Sequence, residues 1–86
     1  ELKNSKNQHI LLGRIIIDKQ VISQMESDHL FHDFVYNCLM LHETGECKRS
    51  SVDQMIKSNH IYKLSNMSFN IETELSKTET RIILSI

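Results

Sequence analysis

Proline is absent from the 86 residues, and glycine occurs only twice, at Gly13 and Gly45. With so few chain breakers, long elements joined by short connections are expected. Tryptophan is also absent, and aromatic residues make up 6% of the chain. Most of those few rings must therefore serve the core. Two cysteines, Cys38 and Cys47, are too few for a disulfide-dense secreted domain, so a reducing, cytoplasmic setting is expected. No apolar run reaches transmembrane length and no secretory signal pattern is visible, so no membrane partner is expected. Charge of one sign is missing too. The formal net charge is −1 with histidine neutral, and nucleic-acid binding of the sequence-independent kind needs a basic excess or stripe. Nucleic acid is accordingly a disfavoured partner. What remains is 40% hydrophobic and 24% charged, an ordinary globular balance and enough for one core.

Along the chain, residues 1–11 read as a flexible polar leader and 12–86 as one domain. Three consecutive β-branched residues make Arg14 to Ile17 a strand. Asp18 is placed to cap a short helix carrying Val21, Ile22 and Met25. Ser27-Asp28 offers a second cap. Behind it, Leu30, Phe31, Phe34, Val35, Cys38, Leu41 and His42 recur at helical spacing from His29 to Glu43, and Gly45 stands where a left-handed helix end is expected. Ser51-Val52-Asp53-Gln54 has the pattern of a capping box, which predicts a third helix ending near Asn59 or His60. Ile61 to Leu64 reads as a short strand and Ser65-Asn66 as a turn. Met67, Phe69, Ile71 and Thr73 alternate with polar residues, the pattern of a half-buried strand. Glu74 to Lys77 is turn-like, and Thr80 to Ile86 forms a last β-branched strand. The expected fold is α+β: a small antiparallel sheet in β-α-α-β-β-β order, with two or three helices packed on one face.

Three stretches, taken together, resemble a family of small bacterial plasmid- and phage-associated ("plasmid-related") proteins of unknown function. They are Leu12-Gly13-Arg14-Ile15-Ile16-Ile17 with Val21-Ile22-Ser23-Gln24-Met25, then Leu41-His42-Glu43-Thr44-Gly45-Glu46, and finally Ile71-Glu72-Thr73-Glu74 followed by Thr80-Arg81-Ile82-Ile83-Leu84. The likeness covers most of the chain after residue 11. Where that family carries Asp-Trp-Gly after the helix-end glycine, Glu46-Cys47-Lys48 stands here. The resemblance implies a compact α+β fold and a setting on mobile genetic elements, and it supplies no catalytic residues.

Candidate chemistry is sparse. Cys38 and His42 lie one helical turn apart, with Cys47 five residues further on, so the three could serve as zinc ligands, although a closed site needs four. A buried small hydrophobe and a cation at the helix end are the plainer readings. His42, Glu74 and Arg81 would form a ribonuclease-type toxin site if they converged within about 3–5 Å of one substrate position. Cross-strand pairing of Glu72 or Glu74 with Lys77 or Arg81 is the alternative. Tyr36 and Tyr62 read as exposed binding anchors, and Asp33, Glu43 and Glu46 give the long helix an acidic outer face. The leading expectation is a non-enzymatic module with no cofactor. Its partner would be a host defence or nucleic-acid-processing protein or a second copy of the chain, met through the edge of the final strand or an exposed helix face.

Overall fold

The structure is a computed structural model and describes residues 9–85. The chain begins its regular structure where the three isoleucines predict it, in β1 (Arg14–Ile17). Gly13 precedes β1 at φ +67, with its backbone pressed on Thr78. Two helices follow directly. In α1 (Lys19–Ser27), Val21 and Met25 are buried. The Asp28 carboxylate accepts from the Leu30 and Phe31 N–H groups at 3.1 and 3.3 Å and so starts α2 (His29–Thr44). Gly45 ends α2 at φ 82, its N–H donating to the Leu41 carbonyl.

The next segment departs from expectation. Residues 51–60 are not a third helix but most of a hairpin, β2 (Ser50–Val52) and β3 (Met55–Tyr62). Asp53, the second residue of the supposed helix, sits at φ 57, which no right-handed helix accepts. The helical reading would have buried only Val52, Met55 and Ile56. As a strand, the segment pairs along its full length with β4 (Met67–Glu74), from Met55 opposite Glu74 to Tyr62 opposite Met67. The strand expected over Ile61 to Leu64 is thus the end of β3, and Leu64 lies exposed in the turn that follows. Asn66 takes the left-handed conformation in that turn. A short 3-10 segment (Leu75–Lys77) leads to β5 (Glu79–Leu84).

The sheet order is β1-β5-β4-β3-β2. From β2 to β5 the pairing is antiparallel, but β1 lies parallel to β5. The sheet is therefore mixed rather than purely antiparallel. This also removes the edge of the final strand as a contact surface, since β5 is enclosed by β1 and β4.

Both helices cover one face. Phe69 and Ile71 from β4, Ile82 from β5 and Tyr62 from β3 meet Val21, Met25, Phe31, Val35, Cys38 and Leu39 in one core. Phe31 packs edge-on against Tyr62 and Phe69, with ring centres 5.2 and 5.9 Å apart. Tyr62 is therefore a core residue and not the exposed anchor its sequence position predicts. Of the expected leader, residues 1–8 lie outside the described residues. In the rest of it, the Ile10 N–H donates to the Glu43 carbonyl at 3.1 Å.

Candidate functional site

His42 lies in the last turn of α2 and points into the core, where it is fully buried. Its Nδ1 is 2.8 Å from the Ser58 hydroxyl of β3, and its Nε2 is 2.9 Å from the Thr73 hydroxyl of β4. Ser58 in turn meets His60 Nε2 at 2.8 Å, and Thr73 meets the Thr80 hydroxyl of β5 at 2.8 Å. The chain of contacts ends where Thr80 donates to the Leu12 carbonyl at 2.7 Å.

That carbonyl has no hydrogen to give, and this fixes every proton before it. Thr80 spends its hydrogen on Leu12, so it accepts from Thr73. Thr73 then accepts from His42 Nε2–H. The other nitrogen, Nδ1, is left as an acceptor and takes the Ser58 hydrogen. Ser58 accepts from His60 Nε2–H. One directed hydrogen-bond chain thus ties α2 to β3, β4, β5 and the segment before β1, and it specifies the neutral Nε2–H tautomer of His42. Burial, helped by the nearby charges of Arg49 and His60, pushes the His42 pKa down to about 4. Burial lowers that of His60 as well. A histidine sealed from water, with both nitrogens committed, has no free position for a substrate or a metal.

The three residues of the nuclease arrangement do not converge. His42 faces the helix-covered side of the sheet among Ser58, Thr73 and Thr80. Glu74 and Arg81 belong to the other phase of β4 and β5 and stand on the uncovered side. The charges there are engaged with one another. Arg81 Nε donates to Glu79 at 2.8 Å, Arg14 lies 3.7 Å from Glu79, Lys57 lies 4.0 Å from Glu72, and Lys77 lies 3.8 Å from Glu74. The hydrogen bond from Arg81 holds the Glu79 carboxyl below its ordinary range. Of the pairing read as the alternative, Glu74 with Lys77 is found, three residues apart at the turn, whereas Arg81 pairs with Glu79 of its own strand and Glu72 with Lys57 of β3.

The zinc arrangement fares no better. Cys38 is part of the apolar core, and burial first, then Cys47, pushes its thiol up to about 11, which leaves it unreactive at neutral pH. Both cysteines are free. Among the described residues, no cluster of three or more His, Cys, Asp or Glu side chains could hold a metal ion.

Two open clefts of about 530 and 510 Å3 lie around the β2–β3 hairpin. Met55, Lys57 and Glu74 floor the first, with the Asp53-Gln54 turn at its side. Lys57 also borders the second, with Lys48, Arg49 and Asn59. Arg49 reaches back from there to donate to the His42 carbonyl at 2.9 Å.

Tyr36 is where the sequence places it, on the outer side of α2 and 49% exposed. It packs against the His32 ring, 4.9 Å away. Met40, one turn on, is 59% exposed. Asp33 and Glu46 are exposed, while Glu43 is half-buried. No lysine or arginine occurs in α2; His29 and His32 are the histidines of its exposed side, and His32 Nδ1 lies 3.2 Å from the Asp33 carboxylate.

Sequence reading missed the buried chain through Ser58, His60, Thr73 and Thr80. Its signal was there in part: Thr73 falls in phase with Phe69 and Ile71. Ser58 and His60 were hidden by the helical reading of their segment. No helix among the described residues is long and apolar enough to cross a membrane. No family model matches the chain, and no curated protein or solved structure does either.

Proposed function

We propose that the chain is a non-enzymatic interaction module that docks a protein partner on the outer ridge of α2. One observation carries this reading: Tyr36 and Met40 stand exposed on a helix face that carries Asp33 and has no lysine or arginine. Aromatic side chains exposed beside apolar ones are the usual anchors of protein interfaces. The acidic flank selects a partner whose contact surface is basic, with an apolar pocket for the Tyr36 ring. The sealing of His42 removes the strongest catalytic candidate from solvent and favours binding over chemistry. The resemblance to plasmid-related proteins implies a setting on a mobile element, and with it a host defence or nucleic-acid-processing protein as the partner.

The test is affinity capture from the native host with the unaltered chain and with Tyr36→Ala and Asp33→Lys variants, each first shown to keep the parent circular dichroism. Loss of the same captured protein by both variants is the expected result. Added salt should weaken capture by the unaltered chain. Capture that survives both substitutions removes α2 as the docking surface.

A further inference from the structure

At one end of the sheet, β1 has β5 on one side and no strand on the other among the described residues. The Arg14 N–H donates to the Thr78 carbonyl at 3.0 Å, and the Asp18 N–H donates to the Ile82 carbonyl at 2.8 Å. Residues in this phase turn their backbone groups toward β5. Ile15 and Ile17, in the opposite phase, turn theirs toward the open side. Their side chains point to the helix-covered face, opposite Thr80 and Ile82. Arg14 and Ile16 lie on the uncovered face, opposite Glu79 and Arg81, and alternation puts Asp18 beside them. Ile15 and Ile16 are 40% and 39% exposed. This strand is only four residues long, and it carries neither a proline nor an inward-pointing charge to block pairing.

We propose that β1 pairs antiparallel with β1 of a second copy, about a twofold axis through Ile16 and perpendicular to the sheet, so that the two sheets run on as one. The register follows from the residues. With Ile16 opposite its own copy, Ile15 faces Ile17 of the second copy, and each presents its outward N–H to the other's carbonyl. Arg14, which lies 3.7 Å from Glu79 of its own chain, then also faces Asp18 of the second copy on the same side of the sheet, and the axis repeats the contact. Moving the register by two residues in one direction sets Arg14 against an isoleucine. Moving it in the other sets Asp18 against Ile16. A shift by one residue puts outward groups of one strand against inward groups of the other. Only the first register matches base with acid, apolar with apolar and donor with acceptor. Arg-Ile-Ile-Ile-Asp is therefore complementary to itself, which is what a twofold contact requires and why the occupant is a second copy.

The opposite edge lacks this property. At β2 the acid that would complete such a register, Asp53, is turned away at φ 57, and Arg49 is drawn to the His42 carbonyl. A contact limited to one short strand is weak and depends on concentration. Its surface is separate from the α2 ridge, so either reading stands or falls without the other.

Sedimentation equilibrium over a wide concentration range tests the pairing. The expected result is a mass that rises from one chain toward two. Ile16→Lys sets two ammonium groups across the axis and should raise the dimer dissociation constant at least about tenfold, with unchanged circular dichroism. Arg14→Asp and Asp18→Arg should each weaken self-association. An equimolar mixture of these two variants restores both ion pairs, and only in the mixed dimer. A chain that stays monomeric at every concentration overturns the proposal. So does a dimer that Ile16→Lys leaves intact, or a mixture that associates no better than its components.

Discussion

Lowering the pH from 7 to 4 should cost this protein about 3 kcal/mol of stability through His42 alone. The folded chain holds His42 neutral, with its pKa pushed from 6.5 down to about 4. In the unfolded chain the same group titrates near 6.5. Above that value neither state binds the proton, and the full stability is present. Between 6.5 and 4 the unfolded state takes up a proton that the folded state refuses, so stability falls with pH. Below about 4 both states are protonated and the loss levels off. At roughly 1.4 kcal/mol for each unit of pKa difference, the total is about 3 kcal/mol. The His60 shift has the same sign and adds to it. Urea denaturation followed by circular dichroism, repeated at pH values from 8 to 3.5, measures the effect. Comparison with His42→Gln isolates it, because glutamine can offer a donor and an acceptor but no titration. The variant should be less stable at pH 7, and the gap should close by about 3 kcal/mol toward pH 4. A constant gap across this window would refute the assignment of a neutral, doubly bonded His42.

Three further outcomes follow from single residues. Gly13→Ala would put a Cβ 1.9 Å from the Thr78 carbonyl oxygen at a φ of +67, and the lower urea midpoint should correspond to a loss of at least about 2 kcal/mol. Asp28→Ala removes the acceptor for the Leu30 and Phe31 N–H groups, and should cost about 1 kcal/mol in the same assay. In the opposite direction, Thr78 holds a β-branched side chain at φ 52. Thr78→Asn should therefore raise the melting temperature, by the equivalent of about 0.5–1 kcal/mol.

How much of this was legible in the sequence depended on whether local signals agreed with tertiary ones. For α2 they agreed: Asp28 before it, the apolar stripe within it and Gly45 after it all point to one helix, and its limits differ from expectation by one residue. In β4 the alternation of Met67, Phe69, Ile71 and Thr73 was enough, because one face is buried and the other open. Residues 51–60 misled because local and distant preferences conflict. Ser51 and Gln54 imitate a helix start, whereas Ser58 and His60 carry no apolar signal. They face the core only because His42 is there to bond with them. A polar pair that is buried for the sake of another buried polar residue leaves no mark in hydropathy. Tyr62 was misplaced for the same reason, since its burial follows from β3 continuing to its position beside Phe31 and Phe34. The parallel placement of β1 could not be read at all, because nothing local distinguishes a strand paired in one direction from a strand paired in the other.

The division of the polar residues is what separates architecture from function in this chain. A directed chain of hydrogen bonds has one satisfied arrangement, and shifting β3, β4 or β5 against α2 would strand at least one buried donor or acceptor, at about 1–3 kcal/mol each. The His42 network therefore fixes how the helix layer sits on the sheet, and His42 itself is fully buried. Charges on the uncovered face are engaged with one another, Glu79 with both Arg14 and Arg81. Two surfaces carry the proposed contacts: the ridge of α2 and the edge of β1. If two chains join at β1 about an axis perpendicular to the sheet, both α2 ridges fall on the same side of the combined sheet. A partner with two basic sites would then meet two Tyr36 anchors at once, and its apparent affinity would exceed that for a single ridge without any new contact. In that arrangement the edge strand sets the strength of binding, while α2 sets its specificity.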